Sequence, residues 1–350
     1  MIQYQLKLRL NTKQEATLNE WLFMLTGVWN WAIRKIELDA ANRIYFTSKD
    51  FQNLLANHGE KMGIPSHTLQ GMLSLAHLSW KRCFKKLAKK PRLKGKRNRL
   101  NSVPLPDPFR PPKDGRISVP GLGKVRFHKM DLPEGKIKCG RIVKRACGWY
   151  LCLFIDAEPK AIPHTGNGQI GIDPGFKNLL TLSDGEVIDH PRELEAVAER
   201  LAQAQRGKNK KLTARLQERI ANKRKDRNHK LSRRLVAENA VIRFSADRHK
   251  SIAKKFGKSV SSSGHGQLRQ MLSYKCRAGG RAYDEPDSKF STMRCSNCGG
   301  LYGPTGFGGL AVRQWRCPAC GTLHDRDVNA ARNTLFAGAG TAHEEIYANA

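Results

Sequence analysis

Apolar and polar residues alternate over the first ten positions, with Ile2, Tyr4, Leu6, Leu8 and Leu10 in phase, and a period of two predicts a half-buried strand. At Thr12 the period lengthens. Leu18, Trp21, Leu22, Leu25, Val28, Trp29, Ala32, Ile33 and Ile36 recur at helical spacing behind a Thr12/Glu15 capping pair, which predicts one long helix with its tryptophans in a core. Residues 66–90 repeat the helical pattern through Leu69, Met72, Leu73, Leu75, Ala76, Leu78, Trp80 and Phe84. Short proline-punctuated runs at 101–157, among them Val125, Phe127, Ile137, Ile142, Val143, Trp149, Leu151 and Leu153, read as strands. The first half therefore predicts a β-barrel-like unit with a helical insertion.

A linker over 158–168 changes the pattern. Residues 169–175 form a short apolar run ending in an acid and a glycine turn, and 179–182 answers it as a hairpin partner. Residues 193–238 are helical again, with Leu194, Val197, Leu201, Leu212, Leu216, Ile220, Leu231 and Leu235 as the stripe, in one broken helix or two.

Charge then narrows the class. Sixty-three Lys and Arg against 30 Asp and Glu leave a net charge of +33, which repels itself unless a polyanion neutralises it. No stretch approaches the ~20 apolar residues of a membrane span, and the first residues lack the order of a signal peptide, so no membrane partner and a cytosolic location are expected. Lys81, Arg82, Lys85 and Lys86 close the helix of 66–90 with more cations than its dipole can use. Arg92, Lys94, Lys96, Arg97 and Arg99 follow in a loop. Lys208, Lys210, Lys211, Arg215, Lys223, Arg224 and Lys230, with Arg227 and Arg234, form a second run that acids scarcely interrupt. Such residues predict phosphate contacts, which give affinity and salt dependence without sequence preference.

Nine cysteines in a chain this long do not make a disulfide scaffold, and four of them fall in Cys295-x-x-Cys298 and Cys317-x-x-Cys320. Eighteen residues separate the pairs, the spacing of a four-cysteine structural zinc site, with a glycine after each knuckle and His324 nearby but unneeded. Cys83, Cys139, Cys147, Cys152 and Cys276 read as ordinary thiols. Phosphodiester chemistry by Mg²⁺ or Mn²⁺ would instead need carboxylates converging from several elements. Asp173 ends an apolar strand, although a turn-forming Asp before Pro-Gly looks the same. Asp327 follows Asp325 at a helix start, where capping and the dipole also favour acids.

These segments in order, Gly171-Ile172-Asp173-Pro174-Gly175, Tyr274-Lys275-Cys276, the two cysteine pairs, and Asp325-Arg326-Asp327-Val328-Asn329, resemble the TnpB family of insertion-sequence-encoded RNA-guided nucleases, related to type V CRISPR effectors. Gly27-Val28-Trp29-Asn30-Trp31-Ala32 and Leu122-Gly123-Lys124-Val125-Arg126-Phe127 extend the resemblance into the first half. It implies an α+β multidomain chain: a wedge-like β-barrel (1–10 and 93–158) with a helical recognition insertion (11–92), then a RuvC-like ribonuclease-H α/β fold (168–292 and 323–337) with an inserted zinc ribbon (293–322) and a tail (338–350). It implies a guide RNA from the transposon end and cleavage of double-stranded target DNA beside a short motif. It further implies a prokaryotic, nucleoid-associated setting and an accompanying transposase from the same element. Asp173 and Asp327 would be the outer catalytic acids.

The middle acid departs from that pattern. Where most of the family has Glu at a strand end, this chain has Ser245 and Ala246, neither of which ligates a metal as a carboxylate does. Glu285, then Asp284, then Asp247 are the candidates to replace it, the first two from a neighbouring strand. If all three are surface acids, the chain is a nuclease-dead RNA-guided repressor; without a guide it is a DNA-binding accessory of transposition.

Overall fold

The structure is a computed structural model, and it describes residues 2–96, 98–107, 110–128, 130–158, 161–175, 177–190, 193–246, 263–287, 289–306 and 308–337. Among them no helix is long and apolar enough to cross a membrane. The chain divides into two compact units, 1–160 and 161–350.

In the first unit the alternating N-terminus forms β1 (Ile2–Arg9) and the long stripe forms α1 (Thr12–Ala41). The cap differs from the expected pair by one residue. Asn11 accepts from the Gln14 amide at 2.8 Å, and the Gln14 side chain returns a bond to Asn11, because Asn is among the best N-caps and leaves Thr12 helical. Glu15 is thereby freed to accept from the indole of Trp149 at 3.2 Å. Two short helices, α2 (Ser48–Asn53) and α3 (His58–Lys61), lead to α4 (Ser66–Phe84). This last helix buries Leu69, Met72, Leu73, Ala76 and Trp80, while Leu75, Leu78 and Phe84 are about half exposed and lie off the core stripe.

Strands β2 (Ser102–Leu105), β3 (Arg116–Val119), β4 (Gly123–Phe127), β5 (Lys136–Arg145) and β6 (Gly148–Asp156) complete an antiparallel sheet in the order β2-β5-β6-β1-β4-β3. The helices thus enter between β1 and β2. One core joins Leu6 and Leu8 of β1 to Trp21 and Leu25 of α1, Leu69 and Leu73 of α4, and Leu151 and Leu153 of β6.

The second unit is built on a five-stranded sheet in the order β11-β10-β7-β8-β9, from β7 (Gly168–Pro174), β8 (Asn178–Leu182), β9 (Val187–Asp189), β10 (Asn239–Phe244) and β11 (Ala282–Asp284). β7, β10 and β11 run parallel; β8 and β9 return antiparallel. The basic stretch resolves into two helices, α5 (Glu193–Arg206) and α6 (Lys210–Glu238), broken where Lys208 takes a left-handed φ of 50°. On one face of the sheet, Ile170, Ile172, Ile242 and Phe244 pack with Leu231 and Leu235 of α6 and with Leu268 and Leu272 of α7 (His265–Ala278).

The opposite face receives α8 (Arg326–Ala337) at Gly171. A Cβ at Gly171 would collide with the carbonyl oxygen of Ala331 and sit 2.8 Å from the Leu335 nitrogen, so only glycine lets the two backbones meet. Gly171→Ala should lower the midpoint of thermal unfolding by roughly 2–10 °C, the effect of overpacking by ~1–3 kcal/mol. Gly27→Ala in α1, where a Cβ would meet nothing within 4 Å, should leave it unchanged or raised. Differential scanning fluorimetry of both variants makes the comparison.

Candidate active site and metal centre

The two cysteine pairs fold as near-duplicate knuckles. Gly299 N donates to Cys295 O and Gly321 N to Cys317 O, each at 2.9 Å, and both glycines take left-handed φ, 78° and 68°. That turn aims both sulfurs of a pair inward. Cys295 and Cys320 Sγ lie 3.7 Å apart, Cys298 and Cys317 Sγ lie 3.6 Å apart, and all four sit within 4.8 Å of one another as free thiols. Sulfurs at ~2.3 Å from a tetrahedral Zn²⁺ are separated by about 3.8 Å, so the cage fits that ion. Burial pushes the Cys295 thiol up, while hydrogen bonds with Thr322 draw the Cys320 thiol down. His324 is buried with Nε2 at 3.0 Å from Cys295 Sγ and its ring 4.7 Å from that of Trp315, a supporting contact beside a complete set of thiolates.

The knuckles are tied to α8 through two buried asparagines to which the sequence pattern had given no role. Asn329 Oδ1 accepts from Ser296 N at 2.9 Å, and its Nδ2 donates to Arg294 O at 2.8 Å. Asn333 Nδ2 donates to Ser291 O and Arg294 O at 2.7 and 2.6 Å. The short hairpin of β12 (Gln314–Arg316) and β13 (Leu323–Asp325) leads directly into the helix. Asp325 Oδ1 accepts from the amides of Asp327 and Val328, both at 3.0 Å, and so performs the capping. Asp327 is left to meet Arg313, with Oδ2 to Nη1 at 3.1 Å.

The pleat sorts the remaining acids by face, because residues paired across a sheet point the same way and neighbours along a strand point oppositely. Arg243 of β10 pairs with Gly171 on one side and Asp284 on the other, so Asp284 shares the face on which α8 lies. Arg243 itself donates to Leu335 O of that helix. Asp173, two residues beyond Gly171 and half-buried, belongs to the same face. Glu285 does not. Its Oε1 accepts from Tyr283 Oη at 2.7 Å and its Oε2 lies 3.6 Å from Arg269 Nη1 of α7, which packs on the other face. The one-residue difference between Asp284 and Glu285 thus puts Asp284, and not Glu285, on the face that bears Asp173.

Ser245 N donates to Ile172 O at 3.0 Å, which sets fully buried Ser245, one residue beyond β10, level with Asp173. Asp247 lies outside the described residues. Among the described residues the four cysteines alone bring three or more ligating groups within 4.8 Å; Asp173, Asp284, Glu285 and Asp327 do not converge that closely.

The basic residues occupy exposed positions on both units: Lys81, Arg82, Lys85, Lys86, Arg92, Lys96 and Arg99 on the first, and Lys208, Lys210, Lys211, Arg215, Lys223 and Lys230 on the second. Arg97 lies outside the described residues. Lys94 is half-buried, and its loop is stapled to α1: Asn30 Nδ2 donates to Lys94 O at 2.9 Å, Lys94 N returns to Asn30 Oδ1 at 2.7 Å, and Trp29 Nε1 donates to Arg92 O at 3.1 Å. Arg224 is half-buried, Lys230 pairs with Asp226 at 2.8 Å, and Arg234 pairs with Glu186 at 2.8 Å. Arg227 donates to Ser263 O at 2.8 Å, so part of the run is structural. Lys275 is buried, its Nζ 2.7 Å from both His229 O and Ser232 Oγ, and burial lowers its pKa to about 8; it clamps α7 to α6.

Two family models match the chain, one described as "Probable transposase" over residues 153–244 and one as "Cas12f1-like, TNB domain" over residues 265–334. The second range takes in the knuckles and most of α8. A "Putative RNA-guided DNA endonuclease" of Streptomyces pristinaespiralis is 33% identical over 295 residues, covering 79% of this chain and 72% of the relative. "Putative RNA-guided DNA endonuclease InsQ" of Escherichia coli (strain K12) is 28% identical over 306 residues, covering 78% and 75%. Among solved structures, a Cas12f1-sgRNA-target DNA complex aligns with a TM-score of 0.38 and 14% identity over 95% of this chain and 99% of that chain.

If the four thiolates hold one zinc, metal analysis of the purified protein gives about one zinc per chain, and Cys295→Ser gives markedly less. Asn329→Ala should leave the zinc content intact while lowering the unfolding midpoint, since it removes buried bonds worth ~1–3 kcal/mol but no ligand. Loss of zinc from Asn329→Ala would refute the division of roles.

Proposed function

Because the chain belongs to the TnpB family, we propose that it is an RNA-guided DNA endonuclease that binds a transposon-end guide RNA and cuts target DNA beside a short motif. The observation that carries the reading is the seating of α8, with Asp327 in its first turn, on the sheet face that bears Asp173 and Asp284. Three carboxylates are a hard oxygen donor set, suited to Mg²⁺ or Mn²⁺. When bound, such ions would neutralise charge on the attacking and leaving oxygens of the phosphodiester. Asp173, Asp284 and Asp327 are the proposed ligands, in a RuvC-like arrangement whose middle carboxylate has moved from β10 to β11. The structure favours Asp284 over Glu285 for that place, since the Glu285 side chain leaves from the wrong face.

The zinc knuckles play the supporting part: through Asn329 and Asn333 they hold α8, and with it Asp327, in register. The exposed lysines and arginines of α4, the stapled loop and α6 are proposed phosphate contacts, with base pairing to the guide supplying sequence recognition. A transposase of the same element is the proposed protein partner.

One observation favours a second reading. Ser245 stands fully buried just beyond β10 and level with Asp173, where it offers no carboxylate, and a chain lacking that ligand altogether would bind guided DNA and repress by occupancy.

Purified protein carrying a discrete RNA and cutting a plasmid library in Mg²⁺ is the outcome expected of the nuclease. RNA without cutting selects the repressor, and absence of RNA refutes both. Asp284→Asn should lower cleavage by at least the ~10–100-fold that an outer-shell partner of a metal costs, whereas Glu285→Gln should stay within about tenfold of the wild type. The reverse order would restore Glu285 as the third ligand.

A further inference from the structure

The face of α7 turned away from the core carries a groove of about 370 Å³, at the low end of the ~300–1,000 Å³ typical of ligand pockets. Arg269, Gln270, Ser273, Tyr274, Arg277 and Glu285 line it. The helix places them there by period: Leu268, Met271, Leu272 and Cys276 point into the core, so Gln270, Tyr274 and Arg277, at i, i+4 and i+7, share the outward stripe. Tyr is a mediocre helix former, and Tyr274 is 50% exposed, so half of its surface stays open to a ligand.

The groove has a fixed floor and an exposed cation. Arg269 is pinned: Nη2 donates to Ser245 O, Nη1 lies 3.6 Å from Glu285 Oε2, and the guanidinium stands 5.0 Å over the Phe244 ring. Its Nε is buried without a hydrogen-bond partner. The single acid of the lining is committed to Arg269 and the Tyr283 hydroxyl, while Arg277 is exposed. An exposed aromatic ring flanked by arginine and amide groups, on a chain of net charge +33, matches an unpaired polynucleotide, whose bases stack and whose phosphates want cations. The lining is too polar for the apolar anchors of a protein interface.

We propose that this groove is a subsite for a single nucleic-acid strand, with a base against Tyr274 and a phosphate at Arg277, on the sheet face opposite Asp173 and Asp284. It holds a strand and does not cut it. The proposal rests on the nucleic-acid reading above but not on cleavage.

The test uses the full-length protein without guide or divalent metal, short fluorescent oligo-dT and oligo-rU, and anisotropy across a salt series. Tyr274→Ala should weaken binding by roughly fivefold or more, Tyr274→Phe should not, and Arg277→Ala should reduce the slope of log affinity against log salt by about 0.7, one single-strand phosphate contact. Photocrosslinks from 5-iodouracil-substituted strands should map to Tyr274. A preference for oligo-dT assigns the groove to a displaced DNA strand and a preference for oligo-rU to the guide; either supports the subsite. Wild-type affinity and slope in both alanine variants, with crosslinks elsewhere, overturn it while leaving the nuclease reading untouched. Failure of the wild type to bind either strand likewise overturns the subsite. All three side-chain changes are at an exposed surface, and unchanged unfolding midpoints confirm that the variants are folded.

Discussion

The contact of two backbones at Gly171 is the constraint on which the second unit depends. A strand and a helix ordinarily stand apart by the thickness of their side chains; here the missing Cβ lets the carbonyl of Ala331 reach β7 itself. The approach alone would fix only one point of the helix. Asn329 and Asn333 supply the rest by reaching into the segment 291–296, so the helix is held by the sheet on one side and the cysteine knuckles on the other. An acid in its first turn therefore inherits its position from packing and from the fold of the cysteine knuckles, neither of which it touches.

Charge is organised by similar economy in the first unit. The loop that follows α4 carries many cations and little that could pack, and free in solution it would lose much entropy on meeting a polyanion. Trp29 and Asn30 settle part of that cost during folding by bonding its backbone to α1. The cations are thus presented on a fixed support, as a binding surface must be if geometry is to matter as well as charge.

Much of this was legible in the residue pattern, and the exceptions have physical causes. Period alone revealed β1, α1, α4 and the helical character of the basic stretch, because a long amphipathic run admits few alternatives. The knuckle spacing was unambiguous, since a cage of four cysteines tolerates little variation. The cap of α1 was misread by one residue because Asn11 and Thr12 are both competent and only the backbone decides between them. The exposed sides of Leu75, Leu78 and Phe84 were invisible because α4 has more apolar residues than its core stripe requires. The faces of Asp284 and Glu285 could not be read from spacing: a chain position is a number, but on a strand it is also a face, and the face of β11 is set by its pairing with Arg243. Asn329 stood in a motif without a role and Asn333 gave no signal, since an asparagine in a helix looks the same in sequence whether it faces water or a carbonyl.

Strand β11 is three residues long, sits at the edge of its sheet and leaves Asp284 exposed. An acid so placed supports no core, and replacing it costs the fold almost nothing. The proposed relocation from β10, deep in the sheet, to this margin separates the ability to cut from the ability to fold. In that arrangement a single substitution at Asp284 would remove the carboxylate while leaving the sheet and its core in place.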